Sequence, residues 1–154
     1  MTGGVSYDEG DLNAVTRLLL AETSFRRPEM EQVGVIQVAV SRAKQNGYSL
    51  SEVAVPPGRP NWNKSQKFRD RWEESIDYPQ FPEARDFVEK VLDGGYVNPI
   101  GDRVQFLHPR GMPRCDGEAC PRGRVCVDTV AGARCLPEWS IGSNVITIDG
   151  ARFS

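Results

Sequence analysis

Histidine is nearly missing: His108 is the only one in 154 residues. A Ser-His-Asp or Cys-His catalytic system would have to use it, yet it sits beside Pro109 and the chain has no Gly-x-Ser-x-Gly elbow. A zinc amidase or peptidase usually needs more imidazoles, and there is no His-x-x-Glu-His pattern. Long apolar runs are also missing, so no stretch approaches the ~20 residues of a membrane span. Net charge is −2 with no dense basic run, which argues against nucleic acid as the main partner. The N-terminus, Met1-Thr-Gly-Gly-Val-Ser-Tyr-Asp-Glu9, lacks a charged n-region and an apolar h-region. It is not a signal peptide as it stands. No cysteine lies outside residues 115–135.

What is present has an ordinary globular balance. Apolar residues make up 39% and glycine 15 positions, and a chain of this length buries roughly 68–70% of its unfolded surface. The expectation is one domain over residues 1–154. Residues 1–8 read as a loose arm. Residues 9–22 predict a helix, with Asp8, Glu9 and Asp11 suited to its N-terminus. After a turn at 23–27, Pro28 fits the first position of a second helix running to about Asn46. Its stripe is Met30, Val33, Ile36, Val40 and Ala43, and Gly47 stops it. Ser49 and Glu52 have capping-box spacing ahead of a short turn to Ala54. Residues 55–63 form a proline-rich loop hostile to helix. Residues 64–75 predict an amphipathic helix carrying Phe68 and Trp72, and residues 78–82 a turn. Residues 82–92 predict a further helix, with Ala84, Phe87, Val88 and Val91 inward and Gly94-Gly95 as its end. Residues 104–108 alternate weakly, as a strand does. Residues 145–153 read as a strand, an Asp149-Gly150 turn and a short return. The class is α+β, mainly helical, with a small C-terminal β element and no repeats.

Cys115, Cys120, Cys126 and Cys135 make a local knot, Cys-x4-Cys-x5-Cys-x8-Cys, rich in Gly, Arg and Pro. Two disulfides or one structural zinc would each explain it. The absence of a Cys-x2-Cys knuckle favours disulfides, with three connectivities open. Disulfides imply an oxidising destination. No metal and no cofactor is expected.

Among the carboxylates, Glu22 is the most oddly placed. Val15, Leu18, Leu19 and Glu22 fall at i, i+3, i+4 and i+7 and share one side of the first helix. That side is expected to face the interior. Burial raises a carboxyl's pKa and lets it hold a proton near neutrality, as the general acid of glycoside chemistry must. The plainer alternative is a helix that ends at Glu22 with its carboxylate turned to water. Glu29 and Glu31 read as dipole complementation at the start of the second helix. Asp93 and Asp102 read as solvated loop residues.

The run Val15-Thr-Arg-Leu-Leu-Leu-Ala-Glu22, a short turn, and Pro28-Glu-Met-Glu-Gln-Val-Gly-Val-Ile-Gln-Val-Ala-Val-Ser-Arg42-Ala resembles the opening of the SleB-type cell-wall hydrolases. These are spore-cortex-lytic enzymes with a lysozyme-like catalytic domain. Phe81-Pro-Glu-Ala through Val91-Leu-Asp-Gly94 resembles the family's middle helix. Phe106, His108 and Trp139-Ser-Ile-Gly-Ser-Asn-Val-Ile resemble its closing segment. The resemblance implies a lysozyme-like fold and cleavage of the peptidoglycan glycan strand, largely by lytic transglycosylation, with Glu22 as catalytic acid. Two positions depart from the family pattern: Ser41 stands where Asn precedes the Arg, and Asn144 where a closing His is usual. The cysteine excursion at 115–135 is not part of that pattern either.

The implied mechanism uses one carboxyl group twice. Glu22 protonates the glycosidic oxygen, and its carboxylate, or a sugar group assisting it, then helps the muramyl C6 hydroxyl attack C1, giving a 1,6-anhydro sugar. A hydrolytic muramidase would want a second carboxylate ~5–5.5 Å away if retaining or ~6.5–9.5 Å if inverting, and none is obvious on a rigid element. Candidate substrate-binding residues are Ser41, Trp62, Tyr96 and Asn144. Trp62 and Tyr96 are aromatic platforms, and Asn144 is an amide able to bond an acetamido group. Arg42 either orients the cleft or pairs with a carboxylate. Phe106 floors the groove or packs in the core. The expected partners are peptidoglycan and, for a lysin or contractile injection device, virion or tail and baseplate proteins, with no nucleic acid and no membrane span. The expected place of action is the cell wall, reached after phage lysis, holin-type release or delivery on a particle. The rival readings are a non-catalytic wall-binding or assembly module with the same fold, and a zinc-stapled interaction domain.

Overall fold

The computed structural model describes residues 5–23, 25, 28–54, 66–115 and 119–154. The chain packs as two compact units that divide between Asp102 and Arg103.

The first unit is helical: α1 (Glu9–Thr23), α2 (Glu29–Asn46), α3 (Leu50–Ala54), α4 (Gln66–Ser75) and α5 (Phe81–Leu92). Helix α1 starts where a reciprocal box can form. The Asp11 backbone N–H donates to Asp8 Oδ1 at 2.8 Å, and the Asp8 N–H donates to Asp11 Oδ2 at 3.1 Å. The other Asp11 oxygen accepts the Ser51 N–H at 3.0 Å and the Ser51 hydroxyl at 2.7 Å, fastening α3 to the start of α1. The Ser49–Glu52 box forms as its spacing predicts, with Glu52 N–H donating to Ser49 Oγ at 3.1 Å. Pro28 lies one place earlier than expected. Its ψ of 145° is extended, so it caps α2, and its carbonyl accepts the Gln32 N–H. Gly47 ends α2 at φ 67°, a left-handed conformation that costs glycine little.

Every residue of α2 from Glu31 to Ser41 is buried. This is the central helix, apolar nearly all round, as Val33-Gly-Val-Ile-Gln-Val-Ala-Val40 requires. Leu12, Val15, Leu19 and Leu20 of α1 and Ala84, Val88, Val91 and Leu92 of α5 complete the main core. Met30 is exposed, one turn outside the stripe it is expected to join. A second cluster gathers Ala21, Ala54, Phe68 and Trp72, with Ala14 and Leu18 against it. Arg17 ties this cluster together. Its guanidinium carbon lies 5.0 Å from the Trp72 ring centre, and Nη2 donates to the Trp72 carbonyl at 2.8 Å. The N-terminal segment is not loose from Val5 onward. The Val5 N–H donates to the Leu92 carbonyl, and the Tyr7 hydroxyl donates to Asp93 Oδ1 at 2.6 Å.

The second unit is β. Strands β1 (Phe106–Leu107), β4 (Ile146–Ile148) and β5 (Ala151–Phe153) form an antiparallel sheet in the order β1-β5-β4, and β2 (Arg124–Thr129) and β3 (Gly132–Pro137) form a separate hairpin. The turn at Asp149 (φ 50°) and Gly150 (φ 94°) falls where expected. Phe106 stands opposite Phe153, with the rings 6.0 Å apart, so its ring serves the pairing of β1 with β5. This unit holds seven arginines and no lysine, and several of them bind backbone carbonyls. Arg103 reaches Asn144, Arg134 reaches Ala131 and Met112, Arg124 reaches Cys135, and Arg152 reaches Ser140. Planar guanidinium forks satisfy backbone acceptors that a thin core leaves open.

The cysteines form two disulfides, Cys115–Cys126 and Cys120–Cys135. Cys126 and Cys135 face each other across the hairpin, yet each is bonded to a cysteine from the preceding loop. The two links therefore fasten that loop to the hairpin.

Candidate functional site

Glu22 occupies the last turn of α1. Its neighbour Ala21 is built into the aromatic cluster, and Thr23 is buried with its hydroxyl on the Leu19 carbonyl at 2.9 Å. Flanked by these anchored residues, Glu22 is half-buried rather than turned fully inward. The interior positions of the helix are Leu12, Val15 and Leu19, and the edge of that face belongs to Leu18 and Glu22.

Arg42 of α2 is the cation that feels Glu22. Burial lowers the Arg42 pKa from its ordinary value, and the charge of Glu22 opposes that shift. Arg42 and Glu22 therefore lie within electrostatic range of each other.

Tyr96 belongs to the same unit and is joined to the Glu22 end of α1 by aromatic contacts. The Phe25 ring lies 5.9 Å from Phe87, and Phe87 lies 5.4 Å from Tyr96, edge-on at 61°. Phe25 adopts φ 55°, unusual for a bulky residue. The Tyr96 hydroxyl donates to Glu29 Oε1, a bond that raises the tyrosine's pKa, with burial adding to it. The Lys90 ammonium lies 5.2 Å from the centre of the Tyr96 ring. A sugar would compete with Lys90 for that face. Glu29 thus spends its carboxylate on Tyr96 as well as on the helix terminus.

Ser41 is buried, and its hydroxyl faces the Gly101 carbonyl at 3.5 Å. This is a packing position, at the foot of the loop that follows α5. Asn144 lies exposed in the second unit, where its backbone carbonyl accepts from Arg103. Trp62 lies outside the described residues. The structure therefore brings Glu22, Arg42 and Tyr96 into one helical unit and leaves Ser41 inside its packing.

Glu31 is 3% exposed, a buried carboxylate on the first turn of the central helix, where it still faces the positive end of the helix. The available signal is the all-round apolar run that follows it, which requires the N-terminal turn of α2 to be enclosed too. A cavity of 160 Å³ elsewhere in this unit is lined by Val5, Gln37, Val40, Lys44 and Val91 among others, and touches neither Glu22 nor Arg42. Among the described residues, the only candidate metal-ligating cluster is Cys115, Cys120 and Cys126, and these sulfurs are held in disulfides. No described helix is long and apolar enough to cross a membrane. No family model, curated protein or solved structure matches the chain, so the chemistry of the site is carried by its own residues.

Proposed function

We propose that the chain cleaves the glycan strand of peptidoglycan as a lytic transglycosylase in a lysozyme-like helical unit, with Glu22 as its acid and then its base. The observation that carries this reading is a half-buried carboxylate on the last turn of an anchored helix, with the Arg42 guanidinium in electrostatic range. The protonated acid gives its proton to the glycosidic oxygen as the bond to C1 breaks. The carboxylate that remains is stabilised by Arg42 and assists loss of the C6 hydroxyl proton as that oxygen closes on C1. No water is consumed. General acid–base assistance of this kind contributes roughly 10²–10⁴-fold to a rate. The half-buried rings of Phe25 and Phe87, 5.9 Å apart, offer apolar surface to a sugar in the same helical unit. Such an enzyme acts at the cell wall as a phage lysin or as part of a wall-piercing particle, where two disulfides suit an oxidising medium.

Glu31 motivates a second reading, a hydrolytic muramidase that uses two carboxylates of the helical unit. Mass spectrometry of a peptidoglycan digest separates the two. Anhydro-muropeptides are expected, whereas reducing-end muropeptides would replace the transglycosylase with the hydrolase. Binding to peptidoglycan without release of any fragment would leave the non-catalytic wall-binding module.

A further inference from the structure

The sulfurs of Cys115, Cys120 and Cys126 all lie within 4.8 Å of one another, and the Cys135 sulfur is bonded to that of Cys120. A tetrahedral zinc with Zn–S bonds of ~2.3 Å sets its four sulfurs about 3.8 Å apart. Converting the disulfide cluster to that geometry requires the bonded sulfurs to separate and the Cys135 sulfur, which lies outside that three-sulfur group, to turn toward it by rotation about χ1. The backbone that presents three of the four is also held by hydrogen bonds of its own. Cys126 and Cys135 are opposed in the β2–β3 ladder. The Cys135 N–H donates to the Pro113 carbonyl at 2.7 Å, the Cys115 N–H donates to the Ala133 carbonyl at 3.3 Å, and Arg114 bridges to Arg134. Cys120 enters on the short turn closed by the Arg124 N–H on Pro121.

We propose that the second unit is a redox-gated zinc site, closed by two disulfides when oxidised and able to hold one Zn²⁺ through Cys115, Cys120, Cys126 and Cys135 when reduced. The exchange balances. A phosphine or dithiol reductant delivers two electrons per disulfide, each disulfide takes up two protons to become two thiols, and Zn²⁺ displaces the four thiol protons as the Zn–S bonds form. The hairpin would then keep its shape in reducing and oxidising surroundings alike, by two different cross-links.

The test uses the full-length chain and Zn²⁺ or Co²⁺ alone, and needs no activity measurement. Protein reduced with a phosphine is desalted without oxygen and titrated, while amide hydrogen exchange reports on the hairpin. The expected result is one zinc per reduced chain and none per oxidised chain, a thiolate-to-cobalt charge-transfer band with tetrahedral d–d absorption, and hairpin protection regained on adding metal. Cys120→Ser, which leaves the hairpin ladder untouched, should weaken zinc binding by more than the roughly 10–100-fold typical of losing an outer-shell partner. No uptake, equal uptake by oxidised protein, uptake without regained hairpin protection, or unchanged affinity in Cys120→Ser would each overturn the proposal.

Discussion

Replacing Asp11 with alanine tests how the helical unit is fastened. The Asp11 carboxylate accepts three hydrogen bonds, from the Asp8 N–H, the Ser51 N–H and the Ser51 hydroxyl, and so joins the start of α1 to α3. Hydrogen bonds to a charged group contribute about 1.5–3 kcal/mol each, and an N-terminal cap about 1 kcal/mol. The site is only partly buried, so the freed donors regain water and the terms do not add. The expected loss is about 2 kcal/mol, or roughly 4–8 °C in Tm for a chain of this size. The pH dependence has a definite sign. Burial pushes the Asp11 pKa up, but the hydrogen bonds from Ser51 and Asp8 outweigh it and hold the folded value below the ordinary one. A depressed carboxylate contributes stability above its unfolded pKa, about 3.9, and loses it as pH falls through the folded value. Denaturant unfolding followed by circular dichroism should therefore show a clear gap between wild type and Asp11→Ala at neutral pH that closes in acid. A gap under about 0.5 kcal/mol at neutral pH, or one that persists undiminished in acid, would refute the reasoning, since surface changes without such a role fall in that range.

Other parts of the fold carry their own tests. The Tyr7 hydroxyl, bonded to Asp93, has its pKa pushed up to about 12. A raised folded pKa gives stability that is present below pH ~10 and lost as pH climbs through ~12. Tyr7→Phe should thus cost about 0.5 kcal/mol at neutral pH and nothing beyond that window, as read by unfolding at several pH values. Replacing Cys120 and Cys135 together by alanine removes a link of sequence separation 15, worth about 3 kcal/mol of loop closure. Hydrogen exchange of the β2–β3 amides should accelerate while the helical unit is unaffected. Arg17→Ala should lower stability by about 1–2 kcal/mol, through loss of the Trp72 stacking and its carbonyl bonds, and lysine should restore less than half of it. Full rescue by lysine would mean that charge alone matters at that position.

The elements that residues announced locally are the ones legible in the sequence. Ser49 with Glu52, Gly47 and Asp149-Gly150 each carry a capping or turn requirement within a few positions, and each acts where it stands. Phe68 and Trp72 share a helix face, and both are buried. The β2–β3 hairpin is masked in the sequence by the four cysteines of residues 115–135, whose spacing dominates that stretch. Its signal is Val125-Cys-Val-Asp-Thr129 alternating up to the two-residue turn Val130-Ala131, which Gly132 closes at φ 91°. Helix α2 obscured its own polar residues. A helix enclosed on all sides has no face to read, so Glu31 and Ser41 vanish into packing that periodicity assigns only to the stripe. Glu22 was legible as the edge of a face, but periodicity could not say how far the edge lies from water, because that depends on Ala21, Thr23 and the residues packed around them.

The central claim is that Glu22 carries the chemistry, and the most direct measurement is the rate of fragment release from purified peptidoglycan by wild type and Glu22→Gln, matched for Tm. The isosteric amide keeps the shape and removes the proton. The account predicts anhydro-muropeptides from wild type and a fall of at least roughly 10²-fold in the variant. An equal rate from a Glu22→Gln protein that folds as wild type does would contradict it.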